Sequence, residues 1–276
     1  MANLQRVFID GVGLNGPGLP NWAQGREVLS GLKPYLASAT VLVPPAGLPP
    51  AERRRVGVLV KLALQVAQEA VDNGQAVADQ LASVFSSSSG EGDNCHALCE
   101  ALAGDRLISP TRFTNSVHNA PSGYWGIVSR AVAPSATLCA FDGSFGAGLL
   151  EAVTQVKVER RGVLLVCYDA PYPSPLLEVR PVMHTLGIAL VLSPQASAHS
   201  LAAVDVSLCD EAPTALPWPE LDTLRGAIPA GRGLPLLQAL AEGHANADGN
   251  PGVARQCIVL DYLNHRQLAV ELSPCR

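Results

Sequence analysis

Two runs of the chain, Val163-Leu164-Leu165-Val166-Cys167 and Ile188-Ala189-Leu190-Val191-Leu192, contain no polar residue. Each is too short for a helix and lacks the alternation of a strand that is wet on one side. A strand apolar on both faces must be covered on both, so helices are expected above and below a sheet. The chain supplies them. Leu59, Leu62, Ala63, Val66, Ala67 and Ala70 recur at helical spacing within Ala51 to Val71, and Arg53-Arg54-Arg55 reads as the solvated start of that helix. Trp22 to Leu36, Asn94 to Ala103 (capped by Asp93 or Asn94) and Leu234 to Glu242 read as further helices. Arg6 to Asp10 and Leu81 to Phe85 read as strands, and Gln256 to Leu263 with Gln267 to Leu272 as a hairpin turning at Asn264-His265-Arg266. Strands alternating with helices indicate an α/β layered fold with a largely buried sheet. At 276 residues this is one large domain or two modest ones.

Chemistry is most concentrated in Thr137 to Val158. Leu138 to Phe141 reads as a buried strand, Asp142-Gly143 breaks it, and Phe145, Leu149, Ala152 and Val156 recur at helical spacing. Ser144 falls at the helix start, where free amides can be capped or can stabilise a developing negative charge. Asp142-Gly143-Ser144-Phe145-Gly146 approaches G-x-S-x-G without its first glycine. A nucleophilic Ser144 would need a base, for which His118 is the candidate, with Asp142 or Asp169 to orient it. His118 lies in Ser109 to Val132 with Asn115, Asn119, Tyr124 and Trp125, and Pro121 and Gly123 set the helix start there near Tyr124. A lone histidine among polar neighbours is ordinarily a hydrogen-bonding residue rather than a catalyst. The proline-rich loop Tyr168 to Pro181 is placed to border a pocket.

Other signals exclude more than they suggest. Gly11, Gly13 and Gly16 match the dinucleotide fingerprint, but Pro17, Gly18 and Pro20 forbid the helix that must begin there, and no cofactor is expected. Cys95, His96 and Cys99 lack a second ligand pair, so no metal site is expected either. The net charge of -5 gives no reason to expect a nucleic-acid partner. No signal peptide or membrane span is read from the chain, and the odd count of 7 cysteines fits reduced core thiols in the cytoplasm. Charged residues make up only 16 %, which suggests that a partner subunit covers part of the surface.

Taken in order, RVFIDGVGLNGPG, ERRRVGVLVKLALQVAQEAV, ASVFSSSSGEGD, LCAFDGSFGAGLLEA and GIALVLSPQ resemble successive elements of the β-ketoacyl synthase branch of the thiolase-like condensing enzymes. The NSVHNAPSGYW and AFDGSFGAGLLEA stretches resemble the short ketosynthase-like chain-length factors of bacterial aryl polyene pigment pathways. The resemblance implies a thiolase-like layered α/β/α domain over residues 1–276. Residues 6–195 would be the N-terminal ketosynthase core, and 196–276 a shortened C-terminal half with a helix and a hairpin. It places the family's nucleophilic cysteine at about Asp142 or Gly143, where this chain has none, and the family's HGT and GFGGxN histidine motifs are missing. It therefore implies a non-catalytic subunit that pairs with an active ketosynthase, or with itself, and works with an acyl carrier protein. Asp142, Gly143, Ser144 and Phe145 would border the acyl pocket, and Asn115, His118, Asn119, Tyr124 and Trp125 the interface, in a region from Phe113 to Ala140. A serine acyltransferase or hydrolase using Ser144 stays open as the alternative, as does a degenerate relative that binds acyl chains or carrier protein for another purpose.

Overall fold

The computed structural model describes residues 6–247, 255–263 and 265–275. Its elements, in chain order, are β1 (Val7–Asn15), α1 (Trp22–Leu29), α2 (Pro50–Arg55), α3 (Val58–Asn73), β2 (Ala82–Ser86), α4 (Gly92–Ala103), α5 (Pro110–Asn115), α6 (Ala120–Ser129) and β3 (Ser135–Leu138). There follow α7 (Ser144–Glu159), β4 (Val163–Asp169), α8 (Leu176–Val179), β5 (Leu186–Ser193), β6 (Ala202–Cys209), α9 (Pro219–Ala227), α10 (Leu234–Ala247), β7 (Gln256–Leu263) and β8 (Arg266–Ser273). The strands form one sheet of order β3-β2-β4-β5-β1-β6-β8-β7. β2 runs parallel to β3 and β4, and the remaining pairs are antiparallel.

The two apolar runs are β4 and β5, paired at the centre of the sheet from Val163 opposite Leu192 to Asp169 opposite Leu186. Successive side chains leave by opposite faces. Val163, Leu165 and Cys167 enter the core built on α1, α7, α9 and α10, whereas Leu164, Val166 and Tyr168 enter the one built on α3 and α6. That alternation into two covered layers is why no polar residue is tolerated in either run. Truncating one such leucine to alanine costs about 2–5 kcal/mol, because the cavity cannot fully collapse.

The glycines of the false fingerprint serve the same packing. A Cβ on Gly11 would lie 2.1 Å from the Ala70 carbonyl oxygen, and one on Gly13 2.0 Å from that of Val66. α3 therefore rests backbone to backbone on β1, inside a continuous strand, and no helix N-terminus faces these glycines.

Several element boundaries differ from expectation. The first helix stops at Leu29, where Gly31 turns the chain in a left-handed conformation (φ 76°). The expected helix over Ala51 to Val71 is broken into α2 and α3, because Val56 is extended and its side chain is buried. α6 begins at Ala120 rather than near Tyr124, since Pro121 lies in its first turn, where a missing N–H costs nothing. Leu138 to Phe141 is not a buried strand. β3 ends at Leu138, occupies one edge of the sheet, and is half-exposed or exposed along its length. In the C-terminal portion α10 and the hairpin are present, but β6 and α9 carry too weak a periodicity to be anticipated. β6 pairs with both β1 and β8 and so joins the hairpin to the main sheet. Met1–Gln5 and Asn264 of the hairpin turn lie outside the described residues. Among the described residues, no helix is long and apolar enough to cross a membrane, and no group of three or more His, Cys, Asp or Glu could hold a metal.

Candidate functional site

Between β3 and α7 the chain makes a sharp turn through Cys139, Ala140 and a single 3₁₀ turn over Phe141–Gly143. The left-handed residue of this turn is Phe141 (φ 52°), not Asp142 or Gly143. An exposed residue held in that strained region marks where such turns usually present a nucleophile. Here the position holds a phenyl ring, 60 % exposed, with the Arg180 guanidinium 3.6 Å from its centroid. Arg180 comes from the Tyr168 to Pro181 loop, which thus closes on the turn.

Ser144 is 1 % exposed and its hydroxyl is committed. It donates to the Phe141 carbonyl (2.7 Å) and accepts from the Ala140 N–H (3.1 Å), stapling the turn from inside. Asp142 is half-buried and clamped by two arginines, with Oδ1 2.8 Å from Arg180 Nη2 and Oδ2 3.1 Å from Arg232 Nη2. Arg232 continues to Asp261 on β7 (3.3 Å), which also binds Arg225 of α9 (2.8 Å). Phe145 does not reach the turn's outer surface. It is buried in the core, where a Cβ on Gly233 would sit 2.2 Å from its ring.

The hairpin covers the start of α7 at backbone distance. A Cβ on Gly143 would lie 1.8 Å from the Tyr262 carbonyl oxygen, and one on Gly146 2.6 Å from that of Asp261. Beside this contact a cleft of about 710 Å³ is lined by Phe141, Asp142, Arg232, Tyr262, Leu263 and Arg266 among others.

The other candidate catalytic residues do not converge on Ser144. His118 Nε2 is 3.1 Å from the Ser87 carbonyl, to which it donates when protonated there. Asp169 is fully buried and accepts from the Ser88 N–H (2.8 Å), the Ser88 hydroxyl (2.7 Å), the Ser87 hydroxyl (3.3 Å) and the Ala230 N–H (2.8 Å). Burial pushes its carboxyl up to about 6, against the lowering effect of those bonds. Ser144, His118, Asp142 and Asp169 thus each serve a different local partner. A serine nucleophile needs a base within hydrogen-bond reach, and none of these bonds supplies one.

Sequence reasoning missed Glu91, in the Gly90-Glu91-Gly92 stretch. It is buried over the N-terminus of α3, accepts from the Val60 N–H (3.3 Å), and is pushed by burial to about 7. A charged residue between two glycines after a serine run was the available signal.

Of the expected interface residues, Asn115, Tyr124 and Trp125 are buried within the chain. The Tyr124 hydroxyl donates to Asn115 Oδ1 (2.9 Å), Asn115 Nδ2 donates to the Arg55 carbonyl (3.3 Å), and Trp125 lies in the α3–α6 core. His118 is half-buried and Asn119 exposed. The exposed apolar residues of this region are instead Phe113 (63 %), Val117, Ile127 and Val132 (97 %), and β3 is an open edge of the sheet.

The family described as "Beta-ketoacyl synthase, N-terminal domain" matches residues 22–225. No curated protein matches the chain. Among solved structures the chain is similar to the ketosynthase ApeO in complex with its chain length factor ApeC from Xenorhabdus doucetiae, with 23% identity, 96% of this chain and 99% of that chain covered, and a TM-score of 0.70. It is also similar to the ishigamide ketosynthase/chain length factor, with 16% identity, 97% and 99% covered and a TM-score of 0.71. A third is the AntDE:AntF complex, a type II PKS acyl-carrier protein with its ketosynthase bound to the hexaketide, with 13% identity, 98% and 99% covered and a TM-score of 0.66. The fold is accordingly the thiolase-like α/β/α layering of ketosynthases.

Proposed function

The chain belongs to the β-ketoacyl synthase family, and on that footing we propose that it is a non-catalytic, chain-length-factor-type subunit. In this reading it pairs with an active ketosynthase and receives acyl chains on an acyl carrier protein, in cytoplasmic fatty-acid- or polyketide-type synthesis of the aryl polyene pigment kind. The observation that carries the reading is the turn before α7. Ketosynthase chemistry needs a thiolate there to take the acyl group, and oxyanion stabilisation beside it. This chain instead presents Phe141, covered by Arg180, with Asp142 locked between two arginines and Ser144 facing inward.

The surface supports pairing. β3 is a sheet edge whose outer N–H and C=O groups want a strand, and the same stretch of chain exposes Phe113, Val117, Ile127 and Val132. The cleft beside Phe141, rather than one bounded by Phe145, would help shape the acyl site. The serine-enzyme alternative loses ground because the Ser144 hydroxyl is buried and already bonded.

The test is intact mass after incubation with acyl thioesters, on carrier protein and on coenzyme A, with peptide mapping. No adduct on this chain, and labelling confined to an added active ketosynthase, is expected. A stable acyl mass on Ser144 would make the chain an enzyme and overturn the proposal.

A further inference from the structure

Asp169, the last residue of β4, is joined to Asp142 by two separate routes. From Oδ2 the first runs to the Ala230 N–H (2.8 Å), along the 3₁₀ turn Pro229–Gly233, and out through Arg232 to Asp142 Oδ2 (3.1 Å). From Oδ1 the second runs through the Ser88 hydroxyl (2.7 Å), the Tyr172 hydroxyl (3.4 Å) and Arg180 Nε (3.1 Å) to Asp142 Oδ1 (2.8 Å). The Ser88 hydroxyl has one proton and gives it to Asp169, so Tyr172 donates to Ser88 and Arg180 to Tyr172. The routes are unequal at Asp169. Oδ1 also accepts from the Ser88 N–H and the Ser87 hydroxyl, whereas Oδ2 accepts from Ala230 alone. Arg232 is also incompletely satisfied, since its Nε is buried without a hydrogen-bond partner among the described residues.

We propose that Asp169 is the positioning residue for both arginines that clamp Asp142, and that a proton taken up on its Oδ2 releases the Arg232 route while the Arg180 route stays closed. A proton on Oδ1 would displace several donors, so the oxygen with a single donor receives it. The new O–H then meets the Ala230 N–H donor to donor, and the turn loses this tie to β4. Arg232 lines the cleft beside Phe141, so its release opens that wall, while Arg180 remains over the Phe141 ring. Burial, which raises the Asp169 carboxyl to about 6, brings the proton within reach of mildly acidic solution. No cation pairs directly with Asp169 among the described residues. Its neighbours on β4, Cys167 and Tyr168, are pushed well upward by burial and then by Asp169 itself, and stay neutral. Tyr172 and Cys139 meet it through Ser88, and His118 through the Ser87 carbonyl. Glu91, whose charge acts on Tyr168, is itself raised to about 7 by burial.

Amide hydrogen exchange on the full chain follows the two routes separately. It is read by nuclear magnetic resonance at pH 7.5 and pH 5, and corrected for the intrinsic pH dependence of exchange. Protection at the Ala230 amide is expected to fall at least about tenfold at pH 5, while that at Ser88 changes by less than about threefold. Equal protection at Ala230 at both pH values overturns the proposal, and so does a parallel loss at Ser88, which would be general loosening. In Asp169→Asn the side-chain oxygen serves Ser88 and the nitrogen faces Ala230, so low Ala230 protection is expected at both pH values. A variant that keeps the wild-type pH response assigns the proton to another group, such as Glu91 or His118, and overturns the proposal. The wild-type comparison decides even where the variant does not fold. The link to Arg232 is read by an Asp142–Arg232 double-alanine cycle, whose coupling should be present at pH 7.5 and lost at pH 5. Equal coupling at both overturns it. None of these readouts involves acyl transfer or a partner subunit, so the outcome is independent of the proposed function.

Discussion

Replacing Gly143 by alanine tests how the hairpin seats on α7. The backbone at Gly143 (φ -83°, ψ 11°) suits alanine, so conformational strain contributes nothing. The new methyl would meet the Tyr262 carbonyl oxygen at 1.8 Å and its carbon at 2.8 Å, and these are main-chain atoms that cannot swing aside. The hairpin must retreat by more than about 1 Å or α7 must tilt, and overpacking of this kind costs about 1–3 kcal/mol. The upper end is expected, because Asp261 beside it anchors Arg225 and Arg232 and must move too. Gly123→Ala is the matched control: it lies in α6, a Cβ there meets nothing within 4 Å, and it should stabilise by about 0.5–1 kcal/mol through helix propensity. Urea unfolding read by far-ultraviolet circular dichroism compares the two. One chemical change should move the midpoint in opposite directions, with the two variants about 1 M apart for a slope near 3 kcal/mol/M. A Gly143→Ala protein as stable as the wild type would refute the seating of the hairpin on the start of α7.

Ser144→Ala should lower stability by about 1–2 kcal/mol, from the two lost turn bonds, yet leave the activity of an assembled complex within a few-fold. A loss beyond about a hundredfold would signal a nucleophile. The half-exposed Asp142–Arg232 pair should show a coupling of about 0.5–1 kcal/mol in a double-alanine cycle by urea midpoint, and zero coupling would remove it from the clamp. For Asp169 the folded carboxyl is raised from 3.8 to about 6, so the folded state holds the proton more tightly than the unfolded chain. Its contribution is fully present below the unfolded value and is lost as pH rises through 6. Asp169→Asn should flatten that part of the stability–pH profile and also destabilise by about 1–3 kcal/mol, since an amide cannot accept from both Ser88 and Ala230 on its two ends. An unchanged slope between pH 4 and 6 would contradict it.

How much was legible in the sequence divides along physical lines. The Val163–Cys167 and Ile188–Leu192 runs announced a sheet covered on both faces, and the α3 stripe announced one cover, because burial leaves its mark on every residue of such segments. The start of α7 at Ser144 was legible from Asp142-Gly143 and the spacing after it. The glycines at positions 11 and 13 read as a fingerprint without its helix, but their use, to admit α3, depends on an element distant in sequence. Tyr124 and Trp125 read as an interface pair because aromatic residues suit surfaces and cores alike, and only packing against α3 decided between them.

The site itself was the least legible part. Sequence order fixed a strand, a turn and a helix around Phe141, along with the lack of a cysteine there. Tertiary structure alone decided that Phe141 takes the left-handed apex, that Arg180 covers it, that Ser144 turns inward, and that Arg232 and the β7–β8 hairpin close over Asp142 and Gly143. Local pattern encodes which face of an element is buried. Which distant group fills the last few ångströms is set by packing among segments far apart in the chain, and no short-range periodicity records it.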